Sequence, residues 1–479
     1  MKKTKIITTL GPACEKPEII EAMANAGMNI CRLNFSFGTF EEHQQKIDSV
    51  RAVGKKLGRS IAIMQCLQGP KIRIGKLNKP IDVKEGQEII LSGNTEHKSD
   101  FYFPTTYSQI ADDTESGKKI LIADGKVLLT VIDKNIEKKE VRCLVDEAGT
   151  ILTGKGINLP YTKISLPALT EKDIQDAIFA AKSGIDFISL SFVRKPEDID
   201  ALRSLVLKHG RKDLQIIAKI EKPEAVDNID EILKKADGIM IARGDLADEI
   251  SFAKVPLVQK ALIKKANKLG KLTIIATEML SSMVDNQLPT RAEASDVANG
   301  VLDGADIIML SNETAMGKYP VRAVKVMSEI VEEAEKNIAG MDYFKNMDTL
   351  PPINTLYEAI CASAAELSHH LNCDAIAVFT RSGITAEILS KFRPEPTIFA
   401  ATYDEGIYNK MSFYHNVYPI KLLDDPFVTP DFTKSIHCLQ EKLLSKNLLK
   451  SGQKMIIVTG EYIKGNEWHI NTIKLHVIE

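Results

Sequence analysis

Eight short apolar runs constrain the fold of this chain more than any other feature of its sequence. Most of them are followed by a helical pattern that often ends at a glycine, as helix C-termini commonly do. Strands that are apolar on both faces and alternate with helices form parallel sheets covered on each side. Eight such units is the number in a (β/α)8 barrel, the TIM barrel, which is therefore the predicted fold. The runs start at Lys5, Met28, Ser60, Phe187, Gln215, Gly238, Leu272 and Asp306.

The series is interrupted between its third and fourth units by a segment of different character. Residues 71–164 alternate as short strands joined by Asp-Gly and other glycine turns, which is typical of a small antiparallel β-domain. The segment leaves and rejoins the barrel at the carboxyl ends of the strands, where a lid would close. We therefore predict a barrel of residues 1–70 and 165–346 with an inserted β-barrel lid of residues 71–164.

After the eighth unit the sequence changes again. The stretch from Met347 to Asn354 contains Pro-Pro and is typical of a linker. Beyond it, apolar runs and helical patterns resume. Residues 351–479 are accordingly predicted to form a C-terminal α/β domain with its own sheet.

Charge and cysteine content argue against several classes of protein. The formal net charge is −2, which argues against a general nucleic-acid or acidic-membrane surface. Seven cysteines without a CxxC pair suggest neither a disulfide framework nor a zinc site. No apolar run approaches the ~20 residues that a membrane-spanning helix needs. We expect a cytoplasmic protein with no nucleic-acid and no membrane partner.

Polar side chains gather at the predicted carboxyl ends of seven of the eight runs, where a barrel carries its active site. Lys219 and Glu221 stand two residues apart, so a strand would turn both to one face, and Asp245 ends the next run. Carboxylates from neighbouring strands, with positions left for substrate oxygens, suit Mg²⁺ or Mn²⁺. With Arg32 and Arg73 near the same rim, they suit a transferring phosphoryl group. A plain Lys–Glu ion pair is the alternative.

Ten longer segments occur in order along the chain, among them "TKIITTLGPAC", "LQGPKIRIG", "AKIEKPEAV", "IMIARGDL" and "MLSNETAMGKYP". Together they resemble the pyruvate kinase family, and in particular its bacterial branch that reads "LQGPKIR". The resemblance covers essentially the whole chain, including the lid and the C-terminal domain. It implies transfer of the phosphoryl group of phosphoenolpyruvate to ADP, which gives pyruvate and ATP in glycolysis, with Mg²⁺ or Mn²⁺ as cofactor.

The resemblance also implies roles for residues at the barrel mouth. Lys219 would contact the phosphoryl group and the developing enolate oxygen, while Glu221 and Asp245 would hold the divalent metal. The Gly244 and Asp245 amides and the Thr277 hydroxyl would bind the substrate carboxylate. Water beside Thr277 would deliver the proton to the enolate carbon.

Further side chains would bind phosphates. Arg32 would clamp the substrate phosphate, and so it joins Lys219 and Thr277 as a predicted catalytic residue. The nucleotide would be bound by Asn34, Arg73 and, from the lid, Lys155. A lyase or mutase that uses phosphoenolpyruvate or pyruvate needs no nucleotide clamp, so these residues argue against that alternative.

The region that binds a monovalent cation in the family departs from the family pattern. Cys66 stands where an aspartate, together with Asn34 and Ser36, helps to hold potassium, and a thiol is a poor ligand for a hard cation. Lys71 stands where potassium-requiring members have glutamate, so its ammonium would supply the missing positive charge. The chain is therefore predicted to work without K⁺.

Three more departures lie near the predicted site. Phe37 replaces a histidine, Glu278 replaces a glutamine beside Thr277, and Asn312 replaces a glycine. None of them removes the lysine, the two metal carboxylates or the threonine. A catalytically weakened paralogue with a regulatory role is the alternative to an active kinase.

In the C-terminal domain, "FTRSGITAEIL" predicts a strand, a turn and the start of a helix. Thr380, Ser382, Gly383 and Thr385 would offer hydroxyls and amides to a phosphate,, although ordinary helix N-capping is the alternative. In the family the matching loop binds an allosteric sugar phosphate or nucleotide, so a phosphorylated effector is implied here. The loop "GNEWHINT" is unlike the usual family form. Family members are usually homotetramers, and the same state is expected.

Overall fold

The computed structural model describes residues 1–94, 96, 99–123, 125–338, 351–423, 432–463 and 467–479. The first half of the expected linker at 347–354 and part of the "GNEWHINT" loop lie outside the described residues. Within the described ranges, no helix combines the length and the apolar composition needed to cross a membrane.

The chain begins with strands and helices in strict alternation. The elements are β1 (Lys5–Thr9), α1 (Pro17–Ala26), β2 (Ile30–Asn34), α2 (Phe40–Leu57) and β3 (Ala62–Cys66). The second helix has sequence signals at both ends. The Thr39 hydroxyl accepts a hydrogen bond from the Glu42 amide in a capping box,, and Gly58 ends the helix with a left-handed φ of 58°,.

The insert forms two sheets. Its elements are β4 (Ile81–Val83), β5 (Glu88–Ser92), β6 (Tyr102–Pro104), α3 (Ile110–Asp113), β7 (Lys119–Ile122), β8 (Val127–Asn135), β9 (Glu140–Glu147), β10 (Gly149–Ile151) and β11 (Ile157–Asn158). The larger sheet has the order β11-β7-β8-β9-β5-β6, and β10 pairs with β4. The sequence predicts a small β-barrel here, and a short segment joins the two edges of the larger sheet: Arg73 bridges Gly156 beside β11, and Ile74 bridges Thr105 beside β6. The Ile74 amide donates to the Lys155 carbonyl oxygen at 2.8 Å, and the Thr106 amide donates to the Arg73 carbonyl oxygen at 2.9 Å, so these isolated bridges close the sheet as a small β-barrel.

After the insert the alternation of strands and helices resumes. The elements are α4 (Glu171–Lys182), β12 (Phe187–Leu190), α5 (Pro196–Lys208), β13 (Gln215–Ile220), α6 (Pro223–Asp227), α7 (Ile229–Lys235), β14 (Gly238–Ala242), α8 (Arg243–Ile250), α9 (Val255–Lys268), β15 (Leu272–Ala276), α10 (Arg291–Leu302), β16 (Ile307–Leu310), α11 (Asn312–Ala315) and α12 (Pro320–Ile338). The strands close into one parallel barrel in the order β1-β16-β15-β14-β13-β12-β3-β2. The predicted eight-stranded barrel is confirmed.

The C-terminal part is a separate α/β sheet, as predicted. It contains α13 (Leu356–His370), β17 (Ala375–Phe379), α14 (Ile384–Lys391), β18 (Thr397–Thr402), α15 (Glu405–Lys410), β19 (Val417–Lys421), α16 (Phe432–Ser445), β20 (Lys454–Ile463) and β21 (Glu467–Val477). The strand order is β19-β18-β17-β20-β21, and only the β20–β21 pair is antiparallel.

One hydrophobic cluster runs from the barrel interior into the C-terminal sheet. Phe187, at the amino end of β12, stacks on Phe413 with ring centroids 3.5 Å apart, and neither side chain is exposed. The C-terminal domain therefore covers the face at which the barrel strands begin. The opposite face, where the strands end, is left for the predicted site.

Candidate active site

Lys219 and Glu221 meet at the carboxyl end of β13. The Lys219 Nζ lies 2.5 Å from Glu221 Oε1 and also donates to Ser191 Oγ at 3.2 Å. The second carboxylate oxygen of Glu221 accepts a hydrogen bond from the Phe192 amide at 2.8 Å. Glu221 is 1% exposed, so its carboxylate is held rigidly in a site with little water.

Asp245 joins this pair from the next strand. β13 and β14 are neighbours, and α8 begins directly at the end of β14, which brings Asp245 into the first turn of that helix. Burial alone would lower the pKa of Lys219, but the carboxylates of Glu221 and Asp245 raise it overall, so the ammonium stays charged. Burial and the Asp245 charge raise the pKa of Glu221 against the effect of Lys219. Burial would also raise the pKa of Asp245, yet Lys219 and Lys71 lower it.

The donor set at this position fits a divalent metal. The carboxylates of Glu221 and Asp245 influence each other electrostatically, and both offer the hard oxygen ligands that Mg²⁺ prefers. No group of three or more His, Cys, Asp or Glu side chains suited to a metal occurs among the described residues. The chain therefore offers two ligands, and substrate oxygens and water would complete the coordination of such an ion.

A strained turn follows β15 beside the carboxylates. Thr277 and Glu278 have φ values of 68° and 55°, a left-handed conformation that costs free energy for a β-branched residue such as threonine. The Gly244 amide donates to Thr277 Oγ1 at 2.9 Å. A Cβ at Gly244 would lie 3.6 Å from that oxygen, in ordinary van der Waals contact.

Arg243 fixes this turn, and the sequence analysis gave it no role. Its guanidinium donates to the carbonyl oxygens of Thr277 and Glu278 at 2.9 and 3.0 Å, and it forms an ion pair with Asp296 at 2.7 Å. The signal in the sequence was its position directly before the Gly244–Asp245 pair. The Phe192 amide, the other unforeseen contact, depends on a left-handed φ of 54°, which no sequence pattern indicates.

Arg32 lies at the carboxyl-terminal half of β2, and its contacts involve the predicted cation region. The Arg32 Nε donates to Cys66 Sγ at 3.0 Å, and its Nη1 donates to Thr9 Oγ1 at 3.1 Å. Nearby in the chain, Asn34 Oδ1 accepts a hydrogen bond from the Ser36 amide at 3.3 Å. The thiol that replaces the family aspartate is thus buried and already engaged by a cation.

Lys71 is placed on the metal-site side of the barrel mouth. Its Nζ lies 3.8 Å from Asp245 Oδ1, and its side chain runs beside Gly156 of the insert. Among the described contacts, Lys71 therefore pairs with a predicted metal ligand and not with Asn34, Ser36 or Cys66.

Arg73 and Lys155 lie side by side at the base of the insert. Arg73 forms a β-bridge with Gly156 and donates to the Gly154 carbonyl oxygen at 2.8 Å, while the side chain of Lys155 is exposed. In the described part of the chain, no hydrogen bond or ion pair joins these two cations to Lys219, Glu221 or Asp245.

The other departures from the family pattern point outward. Phe37 is 69% exposed, and Glu278 and Asn312 are also exposed. Beside Asn312, the buried Glu313 accepts hydrogen bonds from the amides of Leu280 and Ser311. Glu313 therefore joins the ends of β15 and β16, which gives it a structural role.

The predicted effector loop has the expected strand–turn–helix form. Gly383 precedes α14 with a φ of 84°, and its amide donates to Thr380 Oγ1 at 2.9 Å. The Ile384 amide donates to Ser382 Oγ at 3.4 Å, and Thr385 is buried. These hydroxyls cap the loop itself, so effector binding stays a prediction.

A closed parallel barrel that brings a charged lysine and two carboxylates together at its strand ends defines the chain as a barrel phosphotransferase. Two family models match it: pyruvate kinase, barrel domain, over residues 1–324, and pyruvate kinase, alpha/beta domain, over residues 358–476. The chain belongs to the pyruvate kinase family.

Relatives named pyruvate kinase agree with this assignment. The chain is 41% identical to the protein of Staphylococcus aureus strain MRSA252 over 485 aligned residues, which cover 100% of this chain and 81% of that one. It is 40% identical to the protein of Bacillus licheniformis, again over 100% of this chain and 81% of the relative.

Proposed function

We propose that the chain transfers the phosphoryl group of phosphoenolpyruvate to ADP, and that Lys219, Glu221 and Asp245 form the centre of the site. The observation that carries this proposal is the contact of 2.5 Å between Lys219 and Glu221, with Asp245 presented from the adjacent strand. A buried ammonium and two carboxylates can neutralise phosphoryl oxygens directly and through a metal.

Lys219 is assigned to the reacting end of the substrate. Its ammonium faces the transferring phosphoryl group and the enolate oxygen, on which negative charge grows as the P–O bond breaks. Glu221 and Asp245 would hold Mg²⁺ or Mn²⁺, which supplies further charge neutralisation when bound. Asp245 and Gly244, through their amides, and Thr277, through its hydroxyl, bind the substrate carboxylate. A proton then reaches the enolate carbon through water beside Thr277, which gives pyruvate.

Phosphate binding is assigned to the remaining cations. Arg32 clamps the substrate phosphate, and Asn34, Arg73 and Lys155 bind the nucleotide, whose terminal phosphate accepts the phosphoryl group to give ATP. In this proposal residues 1–70 and 165–346 are the catalytic domain, residues 71–164 close over the nucleotide, and residues 351–479 are regulatory. The exposed side chain of Lys155 supports its reach to a ligand.

Potassium is proposed not to be required. The Cys66 thiol is engaged by Arg32 at 3.0 Å, and Lys71 already places a positive charge 3.8 Å from Asp245. We further propose a cytoplasmic homotetramer that binds a phosphorylated effector at Thr380, Ser382, Gly383 and Thr385.

The test of the reaction is pyruvate release from phosphoenolpyruvate and ADP with Mg²⁺, for the wild-type chain and for Lys219→Met. We expect the substitution to lower kcat by about 10³-fold or more, because the main charge beside the phosphoryl group is lost. Lys260→Met is the control, since Lys260 pairs with the buried Asp303, which precedes β16 at the opposite barrel face. That variant should keep kcat within about twofold.

Other outcomes would favour the alternatives. Wild-type protein that binds phosphoenolpyruvate without turnover would identify a weakened paralogue, and pyruvate released without ADP would identify a lyase.

The potassium proposal is tested by the same assay without K⁺. Lys71→Glu should then lose about tenfold or more in kcat/KM, and the Lys71→Glu/Cys66→Asp double variant should recover activity only when K⁺ is added. Wild-type turnover that needs K⁺ would refute the potassium proposal alone.

A further inference from the structure

A large cavity bordered by described residues lies at the other end of the barrel. It has a volume of about 980 Å³ and is lined both by barrel loops and by the C-terminal domain. The barrel contributes the second half of α2, the loops before β3 and β12, and residues before β13, and the C-terminal domain contributes α15, the end of β19 and α16. The cavity is therefore distinct from the catalytic face and shares no residue with the loop at Thr380–Thr385.

The cavity is strongly basic. Eight of its lining residues are Lys or Arg, and three are Asp or Glu. Each of the three acids is already paired: Asp186 with Arg51 at 2.7 Å, Asp213 with Arg211 at 2.9 Å, and Glu405 with Lys421 at 3.0 Å. Five cations are left that have no carboxylate partner among the described residues. They are Lys55, Arg59, Lys410, Lys442 and Lys446.

Lys442 and Arg59 donate to the carbonyl oxygens of Lys421 and Ala24 at 2.5 and 3.2 Å, whereas the other three cations have weaker or no side-chain partners in the described part of the chain. Lys410 is only 9% exposed, and its Nζ donates to a single backbone oxygen, that of Asp213, at 3.4 Å. Lys446 donates to the Gly58 carbonyl oxygen at 3.2 Å, and the side chain of Lys55, which is exposed, has no hydrogen bond or ion pair to any described residue. A nearly buried ammonium with one long contact costs free energy, which a bound anion would offset.

Asn409 gives an independent indication of a ligand. Its side chain lines the cavity and is 7% exposed, yet its carboxamide forms no hydrogen bond with any described residue. Its amide atoms are not among the fully buried side-chain atoms that lack a partner, so they reach the open space of the cavity. The amide could donate to an anion while apolar neighbours such as Ile407 and Ile420 contact the uncharged part of the same molecule.

We propose that this cavity between the barrel and the C-terminal domain binds a phosphorylated small molecule, with Asn409, Lys410, Lys55 and Lys446 as its ligands. A dianionic phosphate suits several unpaired ammonium groups with room for an attached ring. The site does not depend on the proposed reaction. The cavity does reach α15, and Ile407 of that helix would lie 3.6 Å from a Cβ placed on Gly383. A molecule bound in the cavity would therefore contact a helix that packs against the predicted effector loop.

Calorimetric titration of the full chain with glucose 6-phosphate, inorganic phosphate and glucose tests the proposal. The cavity variant is Lys55→Ala/Lys446→Ala, and the matched control is Lys56→Ala/Lys450→Ala. The control removes the same charge from neighbouring positions that do not line the cavity. We expect glucose 6-phosphate to bind the wild-type chain about tenfold or more tightly than the cavity variant, with the control within about twofold of wild type.

A single isosteric change checks the result without removing a lysine. Asn409→Asp, confirmed as folded by its thermal transition, should weaken the binding of glucose 6-phosphate by about tenfold because it adds a negative charge.

Tighter binding of glucose 6-phosphate than of inorganic phosphate would identify an organic phosphate as the ligand, and equal binding would identify free phosphate. Both results support the site. Equal losses in the cavity and control variants, binding of glucose as tight as glucose 6-phosphate, or no binding of either phosphate would overturn it.

Discussion

The two faces of the barrel are built from the same eight strands and differ in almost every other respect. At the carboxyl ends, charges are gathered in a site with little water, and Phe192, Thr277 and Glu278 hold left-handed backbone conformations. At the amino ends, apolar side chains such as Phe187 form one cluster with the C-terminal domain, and the basic cavity lies beside that cluster. The first arrangement costs folding free energy, whereas the second supplies it. The comparison suggests that activity and stability can be changed separately, by substitutions at opposite faces.

The largest expected effect is a loss of stability at the amino-end face, where the barrel strands begin. Phe413→Ala removes a ring that is fully buried against Phe187, so the free energy of unfolding should fall by about 3–5 kcal/mol. At 25 °C the variant should keep its kcat, because the contact lies at the opposite end of the strands from Lys219. Denaturant midpoints and kcat, measured on the same preparation, check both statements.

The control for this prediction is an aromatic residue on the catalytic side. Phe37 is 69% exposed, so Phe37→Ala should change the free energy of unfolding by less than about 0.5 kcal/mol. A loss of kcat in folded Phe413→Ala protein would show that the two faces are coupled and not separate.

An intermediate effect is expected at the strained turn. Arg243→Ala removes the donors to the Thr277 and Glu278 carbonyl oxygens, and the displaced hydroxyl should lower kcat about 10- to 100-fold. Because Arg243 acts through Thr277 and is not a metal ligand, the Mn²⁺ affinity, measured by electron paramagnetic resonance, should stay within about twofold.

Arg203 offers a matched control for Arg243 at the amino-end face. It donates to the Lys235 carbonyl oxygen at 3.0 Å and to Asp237 at 2.9 Å, so it also ties a carboxylate and a backbone carbonyl together. Arg203→Ala should lower stability with kcat unchanged. Equal losses of kcat in the two variants would contradict a positioning role for Arg243.

The smallest expected effect is the pH dependence of stability that His415 causes at the amino-end face. Burial holds the pKa of His415 well below its ordinary value, with Arg393, Lys3 and Lys5 adding to the shift. The unfolded chain takes up this proton near pH 6.5 and the folded chain does not. The contribution of neutral His415 is therefore complete above pH 6.5 and is lost as the pH falls below it, by up to about 1.4 kcal/mol per pH unit.

Denaturant midpoints at several values between pH 5 and pH 7.5 measure this slope. His415→Gln should reduce it, while His369→Gln, at an exposed position, should leave it unchanged. The same slope in wild type and His415→Gln would assign the acid sensitivity to other groups.

Much of this arrangement could be predicted from the sequence, because strand periodicity and strand-end position are local properties. Lys219 and Glu221 are two residues apart, and Asp245 ends the next run, so their meeting follows from the barrel. How the insert closes could not be foreseen, since closure rests on isolated bridges from Arg73 and Ile74 to Gly156 and Thr105 and not on a strand pattern. The support of Glu221 by the Phe192 amide depends on one backbone angle, which no residue pattern indicates.

The cavity at the amino-end face lies beyond sequence reasoning for a different reason. Lys55 and Lys446 are separated by almost the whole length of the chain, and only the packing of the C-terminal domain on the barrel brings them to one cavity. Asn409 looks like any polar residue of a short helix until its position in the cavity wall is known.

The closure of the barrel also has a consequence for synthesis of the chain. β1 pairs with β16, so Lys5 needs a partner, Ile307, that the ribosome adds about 300 residues later. At the usual 5–20 residues per second, the first strand waits on the order of 15–60 s with one edge unpaired. The insert, whose strands pair only among themselves, can fold well before then. During that interval an apolar strand edge would be open to other chains, and the nascent chain is most exposed to aggregation then.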